Sequence, residues 1–319
     1  MFNKPQADQH HEGSSLRFII LLLASTFLMA SSFIAGKQLM NAGFPPFTLV
    51  GCRFLLAALA TLPILNFEQG KSLWHAVFPP QSKAAHIRHL FLIGLLQTTG
   101  VIGLIFWAME SISANMASIL LYTNPLWVAL LSVVWLNDKL SKSQAIGLFI
   151  GIGGVILAIG IGSSGKVEYS PLGMIIGLCS AFCWSIATIL NKKTRVPFSN
   201  WTLTFWQMLI GSLFLLFIGL FTGERSTGAF SLINIGWFLW LAIPGSTVAL
   251  GLWFKALTIS GATKASGYLF LCPAFTILIS YLLFGAVISG MQLCGGLLIA
   301  IALLLISKES EEKTIPESI

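Results

Sequence analysis

Charge is what this sequence lacks. Only 9% of its 319 residues are Asp, Glu, Lys or Arg, against about 25% in ordinary soluble domains, which excludes a water-facing globule. Acids are scarcest: of 11 Asp and Glu, none lies deep in an apolar run, Glu110 and Asp138 standing at run ends. A buried carboxylate for proton coupling is therefore missing. The five histidines, His10, His11, His75, His86 and His89, fall in the N-terminal tail and one polar connector, which leaves no acid–base pair inside an apolar core. Gly-x-Ser occurs only as Gly13-Ser14-Ser15 and Gly162-Ser163-Ser164, outside the apolar runs, and HExxH is absent. The chain is read as a non-enzyme. Of the five cysteines, Cys179 and Cys183 are one helical turn apart but have no neighbouring His or carboxylate. They read as packing residues, and neither a metal site nor a cofactor is expected.

What is present is hydrocarbon. The chain is 56% hydrophobic with a mean hydropathy of +0.86, and its long unbroken apolar runs fit helices rather than the alternating strands of a barrel. Ten spans are expected: about 17–40, 46–66, 88–109, 113–135, 141–162, 171–191, 201–222, 233–257, 261–284 and 288–307. The first is too long for a cleaved signal and is kept as a span. Residues 1–16 and the acidic residues 308–319 are expected to be cytoplasmic tails, the latter disordered.

The net charge of +7 follows topology rather than nucleic-acid binding. With the N-terminus inside, thirteen of the 18 Lys and Arg fall on the cytoplasmic side and three, Lys37, Lys166 and Arg225, on the other. This obeys the positive-inside rule. Arg53 and Lys255 remain within or at the ends of spans. Arg53 is expected to snorkel as a structural anchor, and Lys255 to snorkel or guard the inner mouth.

An internal repeat organises the chain. Residues 104–147 and 252–295, at a shift of 148, share 13 of 44 positions, including Ala117-Ser118, Pro125, Gln144 and Gly147. The first span matches the sixth at a shift of 155, with Ser25, Phe27 and Lys37 answered by Ser180, Phe182 and Lys192. The second matches the seventh at 154 through Thr48, Leu49, Leu55 and Leu59. Five spans per copy require opposite orientations, so residues 17–162 and 171–307 are expected to be inverted repeats, a mark of many secondary transporters.

The Arg53-Phe54 pair answered by Gln207, the Ala-Ser pairs at 117 and 265 with prolines at 125 and 273, and the Gln/Gly pairs at 144/147 and 292/295 resemble the EamA family of the drug/metabolite transporter superfamily. The resemblance covers about residues 17–307. It implies a ten-helix carrier of the inner (cytoplasmic) membrane, all-α and multi-pass, with a central cavity lined mainly by spans 1, 3, 4, 6, 8 and 9. One departure is visible. Such halves often end their fourth helix in Gly-Glu, whereas this chain has Asn137-Asp138 and Gly285-Ala286.

Polar stripes mark candidate cavity faces. Asn115, Ser118 and Tyr122 recur at i, i+3 and i+7; Ser25, Met29, Ser32 and Gly36 line the first span; Ser180, Trp184, Thr188 and Asn191 line the sixth. Each stripe reads either as a packing seam or as a cavity wall. Trp107 and Tyr268 complete the expected substrate contacts. Pro125 and Pro273 read as paired hinges, the alternative being static kinks. The expected activity is alternating-access transport, by export, of a small organic solute that is neutral, zwitterionic or cationic. A channel or a membrane scaffold is the competing reading. A small-molecule substrate and lipid are the expected partners, with no nucleic acid; the oligomeric state is open, and a monomer is compatible. A reporter fused after Lys308 is expected to be protected on the cytoplasmic side; exposure outside overturns the inverted arrangement.

Overall fold

The computed structural model describes residues 6–69, 73–78, 83–136, 141–159, 170–194, 198–256, 259, 268–286 and 289–312. Among these the regular structure is helical: α1 (Gln6–Asn41), α2 (Pro46–Gln69), α3 (Ala84–Ala108), α4 (Ala114–Trp135), α5 (Lys142–Ile159), α6 (Pro171–Lys193), α7 (Asn200–Phe221), α8 (Leu232–Ala256), α9 (Leu271–Phe284) and α10 (Gly290–Glu312). Seven described helices, α1 to α4 and α6 to α8, are long and apolar enough to cross a membrane; shorter apolar stretches occupy α5, α9 and α10. Neither tail begins where the sequence placed it. α1 is already helical at Gln6 and α10 runs on through Glu312, because an established helix propagates at one bond per residue across polar sequence. The expected Lys166 connector, Asn137-Asp138, Ala265-Ser266 and the last seven residues lie outside the described residues.

Serine starts five of the described helices. Ser113, Ser141, Ser170, Ser199 and Ser231 each accept the backbone N–H three residues on, at Met116, Gln144, Gly173, Thr202 and Asn234, satisfying donors that have no partner in the first turn. α2 has no such residue before it. Its first-turn groups instead reach the Glu224 carboxylate, with Phe47 N at 3.0 Å, Thr48 N at 2.8 Å and Thr48 Oγ1 at 2.7 Å. This cap ties the connector after α7 to the start of α2. Beside it the α1–α2 turn, with Gly43 at φ 94°, presents its carbonyl to Thr227 N and Gly228 N.

Exchanging each helix n for helix n+5 maps the main contacts onto one another. α1 packs on α8 and α9, and α6 on α3 and α4; α2 packs on α7, and α5 on α10. The self-paired helices run antiparallel: Gly51 faces Leu216 while Gly219 faces Thr48, and Gly154 faces Gly295 while Ser143 bonds Leu305 O. A Cβ on Gly154 would sit 2.9 Å from the Gly295 carbonyl oxygen, so glycine sets the α5–α10 approach.

The correspondence reaches individual hydrogen bonds. Both α3 and α8 widen into π turns, over Gly94–Gly103 and Ile243–Val248, which the repeat places at corresponding positions. Ser25 Oγ on α1 donates to Ala249 O at 2.8 Å, and its counterpart Ser180 on α6 donates to Val101 O at 2.7 Å. Thr247 Oγ1 donates to Ala57 O at 3.1 Å, and Thr99 Oγ1 to Gly211 O at 3.2 Å. Widened turns are poorly matched to lipid, and donors from the opposite half of the chain cover them. Ser25→Ala and Ser180→Ala are expected to destabilise equally, by about 1 kcal/mol each, as read by thermal unfolding in detergent. A loss confined to one of them removes the equivalence.

Candidate functional site

The first half of α4 is enclosed throughout, with every residue from Ala114 to Leu121 buried. At its end Tyr122 joins three other helices. Its ring lies 6.3 Å from Phe33 of α1 and 5.8 Å, edge-on, from Trp184 of α6, and it shares one buried cluster with Cys272 of α9. Cys272 is itself held toward Thr26 O at 3.5 Å. Helices from both halves therefore meet on one ring.

Arg53 belongs to the same core and does not snorkel. It is 4% exposed, with Nε donating to Ser246 Oγ at 2.8 Å and Nη2 to Gly245 O at 3.2 Å. Its guanidinium stacks 4.7 Å from the Phe54 ring centre and 5.6 Å from that of Phe106. The widened turn of α8 accounts for the difference from the expected anchor: it presents a hydroxyl and a carbonyl inward, where a regular helix would have consumed the carbonyl. The counterpart of Arg53, Gln207, meets α3 through neutral groups, its carbonyl accepting from Thr98 Oγ1 at 2.9 Å.

The expected contacts divide into three groups. Met29, Tyr122 and Trp184 lie together in the central cluster. Ser118 and Ser32 are buried nearby, but their hydroxyls turn back onto Asn115 O and Met29 O, while Thr188 returns to Trp184 O. Ser25 and Ser180 are wholly buried in helix seams. Trp107 is 40% exposed against Phe47, and Tyr268 packs edge-on to Phe18, about four turns along α1 from Phe33. Lys255 is exposed near the end of α8. Among the described residues, Asn115 Oδ1 and Asn124 Oδ1 stand out as buried without a hydrogen bond. Buried His89, bonded through Nε2 to Asn191 Oδ1 at 3.0 Å, was expected in a connector and instead belongs to α3.

Pro125 explains a gap in α4. It has no N–H for the Leu121 carbonyl and crowds that turn, and the α-helix stops at Leu121 to restart at Asn124. The break is bridged by tighter bonds, Thr123 N to Leu120 O at 3.2 Å and Leu126 N to Thr123 O at 2.9 Å. Pro273 has a matching place. A 3₁₀ turn, Tyr268–Phe270, precedes the helix that begins at Leu271. Pro125 thus occupies the first turn of a restarted helix, and Pro273 the first turn of the helix that follows a 3₁₀ turn, where a missing donor costs least. Replacing either by Ala returns the N–H and favours closure of the gap; solute counterflow is expected to slow while folding and membrane insertion persist. An unchanged rate in the double Ala variant makes both positions static.

A second polar feature sits where the α1–α2 and α3–α4 connectors meet. Lys37 Nζ donates to Met109 O and, at 3.3 Å, to Ile112 O. Beside it opens a pocket of about 330 Å³ lined by Lys37, Met40, Asn41, Gly43, Phe44, Pro45 and Glu110. Burial pushes the Glu110 carboxyl above the usual range, Glu224 adds to that shift, and Lys37 opposes it.

Known proteins give this geometry a family. The model of the EamA-like transporter family matches residues 16–160 and again 171–308. A protein of Archaeoglobus fulgidus named an uncharacterized transporter is 28% identical, over 82% of this chain and 87% of its own length. YyaM of Bacillus subtilis, also named an uncharacterized transporter, is 28% identical over 91% and 93% respectively. YedA of Escherichia coli, named an uncharacterized inner membrane transporter, is 24% identical over 78% and 77%. A crystal structure at 16% identity shares the fold with a TM-score of 0.64, covering 95% of this chain and 99% of that one. With two family matches spanning most of its length, and helices apolar enough to cross a membrane several times, this chain is an integral multi-pass membrane protein of the EamA-like transporter family, and a transporter rather than an enzyme.

Proposed function

We propose that the protein is a secondary transporter that exports a small organic solute by alternating access. In this reading ten membrane helices form two inverted five-helix repeats, with both termini cytoplasmic, in a bacterial inner membrane. The observation that carries it is the reciprocity of the bonds between halves, Ser25 to Ala249 with Ser180 to Val101, and Thr247 to Ala57 with Thr99 to Gly211. Two packings related by exchange of the halves have near-equal energy when each half offers the other the same donors and acceptors. That is the condition a carrier needs to rock between two open states around a fixed site. The antiparallel α2–α7 and α5–α10 pairs support the inverted sense, and the printed name of the Escherichia coli relative supports the inner membrane.

The solute contacts are Met29, Asn115, Tyr122 and Trp184. Tyr122 and Trp184 offer ring surfaces from opposite halves, and Asn115 Oδ1 offers a buried acceptor that protein groups leave unsatisfied. Ser25 and Ser180 serve the seam, and Arg53 holds α2 to the wide turn of α8. Lys255, exposed near the end of α8, is assigned to the inner mouth.

Trp184→Ala enlarges the space beside Tyr122 and is expected to change which solutes are carried, read as the ranking of competitors in saturable counterflow, with insertion unchanged. Trp135, 43% exposed, supplies the control. If Trp135→Ala shifts the ranking and Trp184→Ala does not, the Tyr122 cluster is packing alone. Flux that never saturates makes the protein a channel.

A further inference from the structure

The pocket between the α1–α2 and α3–α4 connectors holds one cation and one anion that do not neutralise each other directly. The Lys37 ammonium has three N–H donors and directs two at the carbonyls of Met109 and Ile112. Those bonds fix the head group at the end of α3 and leave one donor. Glu110 borders the same 330 Å³ space and is exposed, which leaves its carboxylate open to an incoming ligand. A second carboxylate, Glu224, acts on Glu110 from the connector after α7, and it is committed to the first turn of α2. Glu110 is therefore the carboxylate left for a ligand. Met40, Phe44 and Pro45 supply an apolar wall, and Asn41 an amide.

A cation and an anion that line one pocket of this size match a ligand that carries both charges on a small frame. We propose that this pocket is a binding site, separate from the Tyr122–Trp184 cluster, for the zwitterionic head of a free α-amino acid, with its carboxylate on Lys37, its ammonium on Glu110 and its side chain against Met40 and Phe44. Neither charge suffices alone. Lys37 has a single donor left for a carboxylate, and Glu110, crowded by Glu224, gains from an incoming ammonium. A zwitterion satisfies both without adding net charge. In the carrier reading the site lies at the outer mouth, where it retains a solute near the exit, but binding there does not depend on that reading.

The test uses the full chain purified in detergent, with methionine, N-acetylmethionine and methioninamide as probes. Methionine is expected to raise the unfolding temperature with saturation, because a ligand of the folded state stabilises it by mass action. The two analogues, each missing one charge, are expected to act about tenfold more weakly or not at all. Glu110→Gln keeps the backbone bond and the shape of the rim and is expected to abolish the methionine response. Lys37→Arg is expected to retain part of it. Trp135→Ala, at an exposed position of α4, is expected to leave it intact. No response to methionine in the wild type, an equal response to N-acetylmethionine, or a full response in Glu110→Gln overturns the site. Loss of the response in Trp184→Ala with retention in Glu110→Gln moves the amino acid to the central cluster, which sinks this inference and leaves the carrier standing.

Discussion

Every backbone amide in a lipid-facing segment has to find its partner within the protein, because hydrocarbon supplies none. A regular helix meets that demand by itself. Among the described residues, interior departures from regularity include the wide turns of α3 and α8 and the gap in α4. Each departure sits against protein, and hydroxyl groups serve each one. Ser180 and Ser25 reach carbonyls in or next to the wide turns, and Thr123 Oγ1 turns back on Leu120 O across the gap at 2.6 Å. Ser25, Ser180 and Thr123 are the donors that make irregular backbone tolerable there, whereas many other hydroxyls of the spans return to a carbonyl three or four residues back in their own helix.

That account reassigns much of the polar striping. A serine at helical spacing on an apolar run signals a face directed at protein, and it does so equally for a seam and for a cavity. Ser25 and Ser180 were legible as a pair because the repeat aligns them, but their acceptors lie on other helices at sequence separations of 224 and 79 residues. No local pattern carries that information. The wide turns were hidden for a similar reason: a shift from four-residue to five-residue closure changes no composition. A signal did exist. Thr99 and Thr247 are identical at the shift of 148, as are Gly103 and Gly251, just beyond the stretch in which the repeat is densest.

The all-helical class and the long apolar helices were legible, since hydropathy runs act locally. What Pro125 does to α4 was only half legible. The loss of a donor was foreseeable, but a bend and a restart differ by how the next turn is capped, and Thr123 settles it through its own side chain. Arg53 was misjudged because the cost of a buried charge depends on what surrounds it. From the sequence, solvent within reach of a long side chain was the cheaper option. In the fold, Ser246, Gly245 and two phenyl rings take solvent's place.

The seam between the halves has the bookkeeping of two like subunits, each giving what it receives, yet it is made within one polypeptide. Joining α5 to α6 in a single chain turns a bimolecular encounter into an intramolecular one, with an effective concentration fixed by the connector rather than by expression level. Because the partner is then always present and always the same molecule, the two copies are free to diverge. Arg53 and Gln207 are such a divergence: on one side of the junction a guanidinium bonds the facing helix, and on the other a main-chain carbonyl does. Two identical subunits would have to carry the charge twice.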